Sequence, residues 1–597
     1  MRGRITHALA AALLGAGFFG SHCGSSSGGS GSGPGDAAGG GGGDGGPSVD
    51  GGGGPTGDGG TEGGDTSGVG HDGGDGGGGG MLAPGSASVL QRGNDLYRRA
   101  TYVEPGLSRS TAPMMAPDAT FDANATFTMA GSAQNQGSAS VLYLDEGPTA
   151  AGCPAGAAGC TATTRAAGAG LFFAFPAFDS NPNVVAFDET SGQPVWTAHV
   201  TVGGDGIRGT PVIDPVSRRM FVVSGNGPHL VHALSVDTGA EVMTGGWPVT
   251  LSKTTVTYGG VGFNSADQNQ HGASLLANGI LYIPFGGEYG DGGTYLGWII
   301  AVNTAAPTQV VGWATQSARS GIWGSGGLAS DGTSVFGVTG DTTSVARNAS
   351  DSQEVVRLTG MASFTRSAAN VFVPTEWQGW DKPMGDLDFG ASTPAYVPLP
   401  AGSTPSALLV APAKAGRLFV LDGTNLSSGT YDPTARTPGG ALADLVVSGT
   451  GGETVYTAPT IYSSTSGLHA AINVGGGQSG CPAPTPTTQE VIVSTLLTPG
   501  QTPVAKIAWC NAVRSGGGHM NFPPISTTVD GASGEPLVWF MEGSQLAVVD
   551  GDTGARLFTT TGAACTGVPS MSFPIAVKNR IVVAALGRLC SWSVGGS

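Results

Sequence analysis

The sequence predicts an all-β chain folded as a single β-propeller of eight blades, with seven as the alternative count. Three observations carry this reading. A strand–turn–strand phrase recurs: Val184 to Trp196 reads VVAFDETSGQPVW, Val231 to Val242 reads VHALSVDTGAEV, and Leu546 to Phe558 reads LAVVDGDTGARLF. Each turn ends in Ser-Gly or Thr-Gly, because its last position takes φ > 0, where a Cβ is strained. A second phrase places proline just before an apolar run: Thr210-Pro211-Val212-Ile213, Thr393-Pro394-Ala395-Tyr396, Ala458-Pro459-Thr460-Ile461, Phe522-Pro523-Pro524-Ile525 and Phe573-Pro574-Ile575-Ala576. Proline is tolerated at a strand start or a sheet edge, and the innermost strand of a propeller blade is an edge. Finally, no apolar i, i+3, i+4 pattern runs long enough for a substantial helix, whereas short β-branched and aromatic runs dominate from Ala133 to Val594. One such hairpin cannot bury both faces alone; copies stacked around an axis every ~45 residues can.

Taken from the N-terminus, residues 1–22 read as an export signal. Met1, Arg2 and Arg4 form a basic start, and Ala8 to Phe19 is an apolar run too short to span a bilayer. Cys23 follows, then Gly24-Ser25-Ser26-Ser27, an order that resembles a bacterial lipoprotein signal with Cys23 as the lipidated residue. An ordinary cleaved signal is the alternative. Residues 23–80 read as a tether: Gly24 to Gly80 holds 31 glycines and eight acidic residues in 57 positions, with no Lys or Arg. Such a stretch has too little apolar surface to offset its ordering entropy, so disorder is expected, with a span of ~40 Å.

Residues 81–597 read as the propeller domain. Of the formal charge of −17, this part carries −11 spread over 517 residues, which excludes the basic footprint that nucleic acid demands. Blades are expected near 133–200, 208–250, 270–316, 325–372, 391–435, 455–510 and 522–560. A last unit, Phe573 to Val594, lacks an outer strand, and Ala125 to Met129 is expected to supply it, tying the two ends of the domain together. Besides Cys23 there are six cysteines, an even number in an exported domain, which points to disulfides. Fifteen pairings are open in principle. Proximity favours Cys153–Cys160, Cys481–Cys510 and Cys565–Cys590, each closing a loop or tying strands within one blade.

These repeats resemble those of the pyrroloquinoline-quinone (PQQ) propellers, the quinoprotein alcohol dehydrogenase-like superfamily. The likeness extends to Gln268-Asn269-Gln270-His271-Gly272, Tyr295-Leu296-Gly297-Trp298, Gly321-Ile322-Trp323-Gly324, Asp386-Leu387-Asp388-Phe389-Gly390 and Lys414-Ala415-Gly416-Arg417-Leu418. It covers roughly residues 88–590. It is similar to a family of exported bacterial proteins with no assigned reaction, and the glycine-aspartate stretch after Cys23 resembles lipoproteins of myxobacteria. The quinone-dependent dehydrogenases are recognised by a vicinal Cys-Cys disulfide against the cofactor, a Trp stacked below it, a catalytic Asp, and Glu and Asn holding calcium. No Cys-Cys pair occurs here. No cofactor is therefore expected, PQQ and calcium being the alternatives.

Other constellations have plainer readings. Asp386 and Asp388, two apart, would share a face of a strand, as a glycosidase pair or a cation site requires; turn chemistry before an inner strand is the simpler account. Glu288 to Gly293 reads as a solvated hairpin loop without the alternating ligands of a calcium site. His229 and His232 would face opposite sides of a strand, and His519 would be a lone histidine on an axial loop. The only G-x-S-x-G, Gly24 to Gly28, lies in the tether, and no phosphate-binding G-x-x-x-x-G-K-[ST] occurs.

These observations point to an extracytoplasmic propeller on the outer membrane or cell surface, or else secreted or periplasmic. It would act as a binding or interaction module for an envelope protein or glycan, meeting the membrane only through a lipid on Cys23. The alternative is a PQQ-dependent dehydrogenase-like oxidoreductase, or a carbohydrate-active enzyme using axial carboxylates; the missing clamps weigh against catalysis. Candidate ligand contacts, from the least repeat-like phrases, are Gln268, Gln270, Trp298, Trp323, Asp386 and Asp388.

Overall fold

A computed structural model describes residues 87–128, 139–161, 168–176, 183–200, 206–225, 228–287, 293–340, 351–380, 387–448, 454–475, 480–482, 490–498, 504–514, 522–562, 565–569 and 571–595. All belong to one compact unit, Gly77–Ser597. The signal, Cys23, the tether, residues 288–292, Asp386 and His519 lie outside the described residues.

Eight sheets, built of antiparallel strands in chain order, follow one another along the described residues and form an eight-bladed propeller; N-terminal strands add to two of them, Thr101–Val103 in parallel to blade 7 and Met115–Pro117 to blade 8. The innermost strands of blades 1 to 8 are Leu142–Leu144, Val212–Asp214, Leu275–Ala277, Ala329–Ser330, Ala395–Pro398, Thr460–Ser464, Ile525–Thr528 and Ile575–Val577. In every proline phrase the last proline stands one residue before such a strand, where a missing N–H costs nothing. Blade 4 is a complete four-stranded sheet, so the count is eight rather than seven.

The recurring turn joins the third and fourth strands of its blade and locks onto the blade before it. In blade 2, Gly239 (φ +71°) lies against the ring of Trp196 from the outer strand of blade 1, and a Cβ there would come within 2.6 Å of that ring. The Trp196 Nε1–H donates to Val236 O at 3.0 Å. Blade 7 repeats this on blade 6: Gly554 (φ +70°) leaves 2.5 Å for a Cβ against Trp509, and Trp509 Nε1–H donates to Gly551 O at 2.8 Å. Glycine is thus required twice over, by its dihedral and by the indole. In blade 1 a Cβ on Gly192 would meet Phe121 O at 2.6 Å, so there the chain-closing segment occupies the place of the indole.

Ring closure differs from the sequence expectation. The outer strand of blade 8 is Met115–Pro117, paired antiparallel with Trp592 to Val594. Of the expected strand, Ala125 to Met129, the described residues 125–128 make only an isolated bridge, Thr126 to Arg588, at the other end of the same partner strand. Between the two, Asp118 caps the helix Ala119–Asn124 by accepting from Phe121 N–H at 2.9 Å. That cap turns the chain out of the sheet after Pro117, and a short Met-Ala-Pro stretch gives no period-two signal by which to recognise the strand.

The three disulfides pair as proximity suggests: Cys153–Cys160, Cys481–Cys510 and Cys565–Cys590. The last is not confined to one blade. Cys565 N–H donates to Ser544 O in a turn of blade 7, while Cys590 lies in the strand Arg588–Val594 of blade 8. It therefore joins the last two blades beside the closure.

Two expected outcomes follow from the docking and the closure. Trp509→Ala should lower unfolding free energy by about 3–5 kcal/mol, and Trp509→Phe, which keeps an aromatic ring but loses the donor, by clearly less; urea titration measures both. Burial pushes the Glu104 carboxyl up to about 7, opposed by the Asn579 and Lys578 backbone hydrogen bonds. Burial likewise raises Asp122 to about 7, opposed by the Ser591 N–H bond. The folded pKa values exceed the unfolded ones, so this stabilisation is full below about pH 4 and is lost as pH rises through about 7. The melting temperature of the native chain should drop more between about pH 5 and about pH 7.5 than that of the Glu104→Gln/Asp122→Asn variant.

Candidate functional site

Innermost strands all run away from one face of the ring, here called the mouth. The loops between blades lie on this face, and so do the turns between second and third strands, because the second strand runs back toward it. The loop before blade 5 brings Asp388 there, the turn after Ala407–Ala413 in the same blade brings Lys414, and the loops before blades 4 and 6 bring Trp323 and Tyr456.

These four side chains meet. Trp323 Nε1–H donates to Asp388 Oδ2 at 2.9 Å, and Lys414 Nζ donates to Asp388 Oδ1 at 3.1 Å. The ammonium also lies 5.7 Å from the Trp323 ring centroid and 5.4 Å from that of Tyr456. The two rings are 6.4 Å apart and tilted by 53°. Ala391 and Met571 pack into the same cluster. Asp388 is 1 % exposed and Lys414 4 %, while Trp323 remains partly open. A buried ion pair is sustained only when further hydrogen bonds satisfy its lone pairs and protons, and the indole N–H and the two ring faces serve that need here.

The backbone is fitted closely around the carboxylate. A Cβ on Gly340 would come within 2.8 Å of Asp388 Oδ2, and one on Gly390 within 2.6 Å of Gly340 Cα. Phe389 N–H donates to Gln353 Oε1 at 2.7 Å, which holds the Asp388 loop against blade 4. Gln353 (φ +56°) and Met571 (φ +66°) both occupy the left-handed region without being glycine. Strain of this kind concentrates where surrounding contacts dictate the geometry, as they do here.

Of the residues chosen from sequence, the structure unites Trp323 and Asp388. It places Asp388 in a loop before the short 3-10 turn Phe389–Ala391 rather than on a strand. Trp298 lies within the strand Trp298–Asn303, 1 % exposed, with its ring edge-on to Phe263 at 5.6 Å, between blades 2 and 3. Gln268 pairs with Gly287 in blade 3 and is buried. Gln270 Nε2 donates to Gly272 O and Ser274 Oγ, both at 3.0 Å, bracing its own loop. His229 and His232 serve separate hydrogen bonds, to Ser265 Oγ and Ser224 Oγ, each at 2.6 Å. Among the described residues no group of three or more His, Cys, Asp or Glu side chains could hold a metal.

Lys414, though part of a quoted phrase, and Tyr456 are not among the candidate contacts chosen from sequence. Lys414 did leave a signal: it directly follows the uninterrupted apolar run Ala407 to Ala413, and a cation carried into a buried sheet by such a run needs a partner. Tyr456 left none beyond standing before the Thr457-Ala458-Pro459 strand start.

No protein-family model and no curated protein matches the chain. Solved structures do. The chain is similar to quinohemoprotein alcohol dehydrogenase ADHIIG of Pseudomonas putida HK5, with a TM-score of 0.56 and 11 % identity over 86 % of this chain and 81 % of that one. The quinohemoprotein alcohol dehydrogenase of Comamonas testosteroni gives 0.54 and 14 % over the same shares, 86 % and 81 %. A europium-containing methanol dehydrogenase gives 0.52 and 11 % over 83 % and 89 %. At such identities the likeness is one of fold: this chain has the eight-bladed propeller of the PQQ dehydrogenases.

The ion pair can be tested without any ligand. Asp388→Asn or Lys414→Met alone leaves one charge buried without its partner and should destabilise by about 3–5 kcal/mol. The double variant should be markedly less destabilised than the sum of the two, giving a coupling of at least ~1 kcal/mol in a denaturation cycle.

Proposed function

We propose that this chain is an exported propeller, anchored through Cys23, that binds a planar anionic small molecule at its mouth, of the chemical class to which PQQ belongs. The observation that carries this reading is the partly open Trp323 ring bonded through Nε1 to a carboxylate that also holds the Lys414 ammonium. An aromatic face suits stacking under a flat ring system. An ammonium beside it suits a ligand carboxylate or carbonyl oxygen.

The residues present fit a quinone cofactor in part. Trp323 would lie under the ring system and Lys414 would reach its oxygens. Asp388 is the carboxylate at hand to accept a proton from a substrate hydroxyl. Bound PQQ supplies two-electron oxidation chemistry. The sequence has no vicinal cysteine pair, so Tyr456 and Met571 would have to form the facing wall. The reading assigns no role to calcium. Binding is the core of the proposal, and oxidation of an alcohol is the extension that Asp388 favours.

An envelope protein or a surface glycan would instead have to use the blade rims. Among the described residues the exposed large apolar side chains, Met114, Val216, Met243, Val261, Val311, Val446 and Leu586, are spread over blades 2, 3, 5 and 8. The mouth therefore supports a small ligand better than the rims support a docking partner.

Titrating PQQ into the purified protein should quench tryptophan fluorescence saturably, with Kd of about 10 μM or tighter. Trp323→Ala should weaken binding at least ~10-fold, whereas Trp298→Phe should leave Kd within ~2-fold. Dye reduction with added alcohols, lost in Asp388→Asn, would support the enzymatic extension. Quenching that never saturates, or an unchanged Kd in Trp323→Ala, would overturn the proposal.

A further inference from the structure

We infer that residues 87–101 form an axial plug bound by the ring's own innermost strands, and that Arg92 on this plug positions the floor of the mouth site. The second half rests on the proposed ligand site; the first does not.

The carbonyls of Val89, Leu90, Leu96, Tyr97, Arg99 and Ala100 accept, in that order, from the backbone N–H of the second residue of the innermost strand in blades 1, 2, 4, 5, 6 and 7, at 2.7–3.0 Å. The segment thus visits the blades in ring order, at a single level along the axis. Innermost strands are sheet edges whose free N–H groups point at the channel, and something must satisfy them. Here a stretch of the same chain does so. The two blades missing from this series are reached by side chains: Arg98 donates to Ser274 O of the loop entering blade 3 at 2.7 Å, and Arg92 to Met571 O of the loop entering blade 8 at 2.8 Å.

Arg92 also donates to Ser325 Oγ at 3.1 Å, two residues beyond Trp323 in the loop entering blade 4. Blades 4 and 8 face each other across an eight-membered ring. A single guanidinium can touch the loops entering both only if it lies on the axis. Arg92 is 2 % exposed and Arg98 1 %, so both cations are enclosed by the ring. Met571 in turn packs with Trp323 and Tyr456, so Arg92 ties the floor of the mouth to the loop that carries the indole. Arg98 bonds Leu328 O, Ser274 O and the backbone carbonyl of Arg92 but none of the four side chains at the mouth. The mouth is consequently a blind cup. A ligand enters and leaves by one face, and no polymer threads the axis.

Hydrogen exchange on the full chain, combined with PQQ titration, tests both halves. In the native protein the amides of Ile213, Ser330, Tyr396, Ile461 and Ser526 should be protected although they lie on sheet edges. Arg98→Ala should speed their exchange at least ~10-fold while leaving the Kd for PQQ within ~2-fold. Arg92→Ala should speed exchange as well and weaken PQQ binding at least ~10-fold. If Arg92→Ala does not fold, Arg92→Lys, which keeps the charge but lacks the fork to span both acceptors, should show the same direction. Unprotected amides in the native chain would overturn the plug. Equal Kd values in the Arg92 and Arg98 variants would overturn the positioning role. Absence of PQQ binding to the native chain would count against the mouth ligand alone, since exchange still decides the plug.

Discussion

Every blade of this protein has two apolar faces, and only another blade can cover each of them. The buried clusters obey that constraint. One joins blades 1 and 2 through Phe173, Trp196 and Ile213, another blades 2 and 3 through Phe221, Phe285 and Trp298, and a third blades 5 and 6 through Val410, Val420 and Ile472. The largest joins blades 7, 8 and 1 around Trp539, Trp592 and Phe172. The apolar interior is therefore a ring of interfaces rather than one centre. Such a ring has no stable open form, because opening it exposes two faces at once.

Closure is accordingly over-determined. The strand Met115–Pro117 completes blade 8 from the N-terminal side, Cys565–Cys590 bonds the linker on blade 7 to blade 8, and Thr101–Val103 pairs in parallel with the inner edge of blade 7. Residues 87–100 then bind the inner edges of most blades. One N-terminal stretch thus supplies an axial segment, a parallel edge strand and an outer strand in succession.

The candidate site lies where the repeat is least regular. Repeating turns are occupied in docking neighbouring blades and carry little chemistry. The loops entering blades 4, 5 and 6 are free of that duty, and they deliver Trp323, Asp388 and Tyr456 to one place. The glycines at 340 and 390 let two backbones approach closely enough to enclose a carboxylate. The lysine turn then neutralises it, as a buried charge requires.

The propeller, its strand starts and its disulfide partners were legible from local signals: Ser-Gly and Thr-Gly turns, prolines at inner edges, and cysteines near each other in sequence. Each reports a constraint acting within a few tens of residues. Trp323 and Asp388 stood out for departing from the repeat, yet nothing in the order of residues said that they touch. Their meeting, the recruitment of Lys414, the burial of Trp298 between blades and the path of residues 87–101 along the axis all depend on how eight blades close. The sequence by itself determined what each blade is, because turn dihedrals and strand alternation are local. Only the tertiary structure decided which loops converge and what fills the channel, because those contacts join different blades, from Trp323 with Asp388, 65 positions apart, to Arg92 with Ser325 and Met571, 233 and 479 positions apart, and exist only once the ring has shut.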